Sequence, residues 1–78
     1  MTERDIKTAV LESLRTVAPE ADVDTLEADV TFHDQFEIDS MDFVNFVSAL
    51  GKALQRNIPE EDYYQLGTLN GCIRYFGQ

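Results

Sequence analysis

Apolar residues recur at Phe43, Val47, Leu50 and Leu54, the three-and-four spacing of a helix with one buried stripe. Asp39 suits the N-cap of that helix and Ser40 opens its first turn, so the pattern predicts a helix over about 40–55 at the centre of the core. An earlier helix is predicted where Thr2, followed by Asp5, makes a capping box with aspartate in place of glutamate. Ile6, Val10, Leu14 and Val17 then share one face until Pro19 stops the helix. Pro59 is expected to start a short third helix, whose Glu60, Glu61 and Asp62 suit its positive first turn. Thr68 should cap a fourth, from about Leu69 to Phe76. No segment alternates as a strand would, and the expected fold is all-α, a small four-helix bundle with a long first loop and a short third helix.

Residues 19–39 carry no sustained period, yet they contain Val23, Leu26, Val30, Phe32, Phe36 and Ile38. A connection of this length inside a small domain is usually functional or held down by its own side chains. These six residues are expected to anchor it. Stepping 100° per residue around the second helix puts Met41, Asn45, Ser48 and Lys52 opposite the buried stripe. Met41 is therefore an apolar side chain expected outside the core, next to Ser40.

Ser40 is the candidate for chemistry. A helix start presents unpaired N–H groups and the positive end of the macrodipole, a favourable place for a phosphodiester. A nucleophilic serine would need a base within hydrogen-bond reach, and the chain offers one histidine, His33, and no lysine nearer in sequence than Lys52. Ser40 thus reads as a residue modified by another enzyme, and no residue reads as catalytic. His33 is expected in the loop, contacting the bundle.

The 78 residues suffice for one domain, 1–78, close to the lower limit for a core without disulfide or metal. A formal charge of −9 argues against nucleic acid and anionic membranes and for partners with basic patches. The one cysteine, Cys72, excludes an internal disulfide and a multi-cysteine zinc site, and it falls on the stripe Leu69, Cys72, Ile73, Phe76 as a buried thiol. With neither a leader pattern nor an apolar run long enough to span a bilayer, a cytoplasmic protein without an integral membrane segment is expected.

Asp39-Ser40-Met41-Asp42, followed by Val44, Val47, Ala49 and Leu50, then Ile58-Pro59-Glu60 and Thr68, resembles the acyl carrier protein family over essentially the whole chain. Met41 stands where that family has leucine. The resemblance implies a 4′-phosphopantetheine arm, taken from coenzyme A and joined to Ser40 by a phosphopantetheinyl transferase, with Asp39, Met41 and Asp42 around the attachment point. It implies a carrier, not an enzyme, that holds an acyl group as a thioester. Met41, Val44, Asn45, Ser48 and Lys52 would form the recognition face for that transferase, for an acyl-loading ligase or acyltransferase, and for a ketosynthase or other acyl-using enzymes. A monomer is expected. Hiding acyl methylenes would contribute about 0.8 kcal/mol each, with Phe36, Phe43, Phe46, Tyr63 and Tyr64 as candidate walls, although plain core packing is the commoner role of each.

The chain departs from that family in charge. No acid occurs between Asp42 and Glu60, whereas Lys52 and Arg56 do. The acids gather ahead of the second helix, at Glu20, Asp22, Asp24, Glu27, Asp29, Asp34, Glu37, Asp39 and Asp42. This points to a carrier for a specialised fatty-acid, lipid or polyketide pathway, and to stability improved by divalent cations bound to the acidic segment. Glu37 stands where many acyl carriers have glycine, so either the turn keeps a negative φ there or the family pattern is loose. Gly51 inside the second helix should cost about 1 kcal/mol against alanine. An aminoacyl or peptidyl carrier, or an unmodified interaction module on the same fold, remains an alternative. A calcium sensor built on Asp22, Asp24 and Asp29 lacks the glycine and terminal glutamate its loop requires.

Overall fold

The computed structural model describes residues 2–77. Met1 and Gln78 of the expected 1–78 domain lie outside the described residues.

Helix α1 spans Glu3–Val17 and begins as its sequence dictates. Thr2 Oγ1 accepts from Asp5 N–H at 3.1 Å while Asp5 Oδ2 accepts from Thr2 N–H at 3.3 Å, which satisfies two of the unpaired donors of a helix start. Ile6, Val10 and Leu14 are fully buried, while Val17, at the end of the stripe, is half-buried. After a 3₁₀ turn at Val23–Thr25, a short helix α2 forms at Phe32–Phe36 inside the segment expected to be a loop. Thr31 caps α2 by accepting from Asp34 N–H at 3.1 Å. Helix α3 follows at Ser40–Leu54, a 3₁₀ segment at Glu60–Leu66 takes the place of the short third helix, and α4 occupies Leu69–Phe76 behind its Thr68 cap. Pro59 does not enter the 3₁₀ segment; it stands at its N-cap. Among the described residues the chain is all-helical, and α1 packs chiefly on α3 and then on α4.

The buried side of α3 is wider than the narrow stripe predicted for it. Phe46, Val47, Leu50 and Gly51 are the buried residues, spread over about 140° at 100° per residue. Phe43 and Leu54 sit near the middle of that arc but close to the helix ends, where neighbouring elements cover them only in part. Phe46 is buried on one flank because Phe32 of α2 meets it edge-on, ring centroids 5.1 Å apart. Gly51 is buried on the other flank, where a Cβ would come within 2.9 Å of the Arg56 carbonyl and 3.5 Å of Ile58 Cδ1. Its helical cost is thus offset by a fit alanine does not have.

Of the six expected anchors, Val23, Phe32 and Ile38 are buried and Leu26 and Phe36 pack against the core. Val30 is only half-buried, and it is its carbonyl that is used, accepting from Gln35 Nε2 at 2.8 Å. Gln35 also exchanges two bonds with Glu27, each 2.9 Å. One amide therefore holds the connection by its backbone. The same segment is joined to the far end of the chain by Phe32 N–H donating to Gly67 O at 2.9 Å and Asn70 N–H donating to Ala28 O at 3.1 Å. Asn70 Nδ2 also donates to Asp29.

Candidate functional site

Ser40 is exposed as the first residue of a helix of 15 residues, and the turn that presents it is closed by two carboxylates. Asp39 Oδ1 accepts from Asp42 N–H at 2.8 Å and Asp42 Oδ2 accepts from Asp39 N–H at 3.4 Å, a second capping box made from aspartates. Phe43 N–H donates to Asp39 O at 2.9 Å and begins the helical ladder. These bonds fix the backbone on both sides of Ser40. Among the described residues the Ser40 hydroxyl itself has no hydrogen-bond partner, which leaves Oγ open to solvent beside the positive end of α3.

The approach to this turn is left-handed. Glu37 adopts φ 54° and ψ 34°, a region that disfavours any side chain with a Cβ, so the alternative of a negative φ does not hold. The reversal lets Phe36 and Ile38 both turn inward while Asp39 reaches its capping position. Gln55 makes the same excursion at the other end of α3, with φ 54°.

Met41 is 74% exposed and Val44 47% exposed, and Asn45, Ser48 and Lys52 are also solvent-facing. They do not share one concavity. Ser40 and Val44 line a hollow of about 560 Å³ together with Thr31, His33, Asp34, Phe43, Tyr64 and Gly67. Ser48 and Lys52 line another, of about 440 Å³, in which Lys52 and Arg56 supply positive charge. The acids ahead of α3 border a third hollow of about 800 Å³, where Glu20, Asp22, Glu27, Asp34, Glu37 and Asp42 all contribute. Among the described residues no three acidic, histidine or cysteine side chains come together as a metal-ligand set. Within this segment Asp22, Asp39 and Asp42 are engaged with backbone N–H groups.

His33 and Tyr64 are the residues whose place the sequence does not disclose. His33 stands exposed on α2, not in a loop, and joins Ser40 in the same hollow. Tyr64, a candidate apolar wall, is 80% exposed and far from core packing. Of the other candidate walls, Phe46 is core, and Phe36, Phe43 and Tyr63 are half-buried against it. A signal for α2 does exist, because Thr31-x-x-Asp34 repeats the capping spacing of Thr2 and Asp5.

Cys72 is fully buried, and burial pushes its thiol up to about 12. Its Sγ donates weakly to Leu66 O at 3.5 Å. Among the described residues no helix is long and apolar enough to cross a membrane.

Against known protein families, the chain matches the model described as the phosphopantetheine attachment site over residues 6–76. No curated protein matches it at the level that would count as a relative.

Proposed function

The chain belongs to the phosphopantetheine attachment family, whose prosthetic group is a covalently bound 4′-phosphopantetheine, and from that premise we propose that Ser40 takes the group and that the protein is an acyl carrier for a specialised fatty-acid, lipid or polyketide pathway. The observation that carries the proposal is Ser40 itself, within the family match, exposed with its hydroxyl unengaged where α3 begins. The residues fit the group. A phosphodiester at Oγ has no packed neighbour to displace, and the helix N-terminus favours its charge. When bound, the group supplies a terminal thiol that holds an acyl chain as a thioester. Asp39 and Asp42 hold the turn open toward a modifying enzyme, and Met41 and Val44 offer that enzyme apolar contact.

Carrier domains of this family are modified and loaded by other enzymes. The partners in this reading are a phosphopantetheinyl transferase, an acyl-loading ligase or acyltransferase, and a ketosynthase or other acyl-using enzyme. They meet the chain as a monomer in the cytoplasm. The charge pattern supports a specialised partner set, since Asn45, Ser48 and Lys52 face solvent along α3 beyond Asp42, where acids are absent, while acids up to Asp42 border the hollow beside its start. The net charge of −9 favours acyl over aminoacyl cargo.

Intact-protein mass after incubation with coenzyme A, magnesium and a broad-specificity phosphopantetheinyl transferase tests the attachment. One added phosphopantetheine, lost in Ser40→Ala, is expected. No addition with several transferases would replace the carrier with an unmodified interaction module. Efficient use of the protein by the general fatty acid synthesis enzymes would remove the specialised pathway, and loading by an amino-acid-activating ligase would change the cargo.

A further inference from the structure

The hollow beside Ser40 has a composition that attachment of a flexible arm does not by itself require. Its two walls are fixed to each other through the chain, because Phe32 N–H donates to the carbonyl of Gly67, and Gly67 is itself a lining residue. Phe43, Val44 and Tyr64 make the wall apolar. A tyrosine ring 80% exposed beside a valine 47% exposed, contiguous with the serine, is apolar surface still without a partner. His33 is the one lining residue able to carry positive charge, in a segment from Glu20 to Asp42 that otherwise bears only acids among its charged groups. Its side chain is exposed, and among the described residues it makes no hydrogen bond.

Resting on attachment at Ser40, we propose that this hollow seats the proximal part of the phosphopantetheine arm, with His33 as a positioning residue that donates to the phosphodiester and with Phe43, Val44 and Tyr64 packed against the pantoyl unit. The electrostatics ask for such a group. A phosphodiester on Ser40 arrives as an anion with Asp34 lining the same hollow and with Asp39 and Asp42 in the same helix start, and like charges repel. An imidazole donates a hydrogen bond in either protonation state and adds charge in one of them. Beyond the phosphate, the arm continues through a gem-dimethyl carbon, a compact apolar group suited to a wall of two aromatic rings and a valine. The hollow therefore matches the arm in order, charge first at Ser40 and His33 and apolar surface next at Val44 and Tyr64.

The test compares apo and holo protein by nuclear magnetic resonance, after mass spectrometry has confirmed the added arm. Conversion should move the His33 and Tyr64 ring resonances and the Val44 methyls, and the pantoyl methyl protons should show Overhauser contacts to the Tyr64 ring. His33→Lys should keep those contacts, whereas His33→Glu should weaken them at least twofold; both changes are at an exposed site, and Tyr64→Ala should return the pantoyl methyl resonances toward those of the free arm with the helices intact. Arm resonances like those of free phosphopantetheine in a fully converted wild type would overturn this inference and leave attachment standing. Failure to gain the mass of the arm would overturn both.

Discussion

Tyr75 donates its hydroxyl to Asp62 Oδ2 at 2.7 Å, joining α4 to the first turn of the 3₁₀ segment. That bond holds the phenol proton, and Asp62 raises the Tyr75 pKa above its usual value of 10.0 chiefly through it. A group whose pKa rises on folding stabilises the fold fully below its unfolded value, and the contribution disappears as pH climbs through the folded value. Wild type should therefore lose stability above about pH 10, and Tyr75→Phe should lack this part of the alkaline loss. At neutral pH the variant should be less stable by about 1 kcal/mol. Urea titrations from pH 7 to 11 check both limbs; identical slopes against pH in the two proteins would dismiss the coupling.

Gln35 is the clasp of the long connection. Gln35→Ala frees Glu27 N–H and the carbonyls of Glu27 and Val30 together, and should lower stability by about 1–2 kcal/mol, since water replaces part of what is lost. Gln35→Glu keeps the acceptor but brings a carboxylate to two carbonyl oxygens, so it should not rescue the loss. Amide exchange at Glu27 should accelerate in Gln35→Ala, where its acceptor is gone. A protected Glu27 amide in Gln35→Ala would mean that something else holds the segment.

Glu37 pays for its left-handed backbone with strain that glycine would not feel. Glu37→Gly should raise stability by about 0.5–1 kcal/mol, the relief being partly offset by the freer unfolded chain. Glu37→Val, with a branched Cβ in the same region, should lower it. Thermal melts of the three proteins decide the matter, and a melting temperature for Glu37→Gly below wild type would show that the side chain contributes more than its backbone costs.

Met41 projects from the first turn of α3, 74% exposed. Met41→Glu should leave the melting temperature within a few degrees of wild type, because surface substitutions away from special features rarely exceed about 0.5 kcal/mol. Modification of Ser40 by a phosphopantetheinyl transferase should slow by roughly tenfold, as loss of a contact worth about 1.4 kcal/mol would require. Unchanged modification kinetics would remove Met41 from the recognition surface.

Helices α1, α3 and α4, with the exposed place of Ser40 at the start of α3, are legible in the sequence because each rests on a local rule. Reciprocal caps at Thr2 with Asp5 and Asp39 with Asp42, and the lone cap at Thr68, need only neighbours within one turn. The connection ahead of α3 follows different rules. Five residues are too few for an apolar period to register, so α2 is announced only by its Thr31 cap. Gln35 reaches eight residues back to Glu27, and nothing in an isolated glutamine marks that bond. Phe46 falls outside the apolar stripe of α3 for a related reason: it lies on its flank and is buried by Phe32, which α2 delivers from another element. The composition of the Ser40 hollow depends on the same delivery, since His33 arrives on α2 and Tyr64 on the 3₁₀ segment.

The interior position of Cys72 has a bearing on what such a carrier can keep. Acyl groups pass between sulfur atoms by attack of a thiolate, and a thiol pushed up to about 12 supplies almost none of that species near neutral pH. Cys72 is moreover walled in by the core that α4 completes. Cys72 is the one cysteine of the sequence, so a thioester formed on the proposed arm would meet no competing thiolate from its own polypeptide.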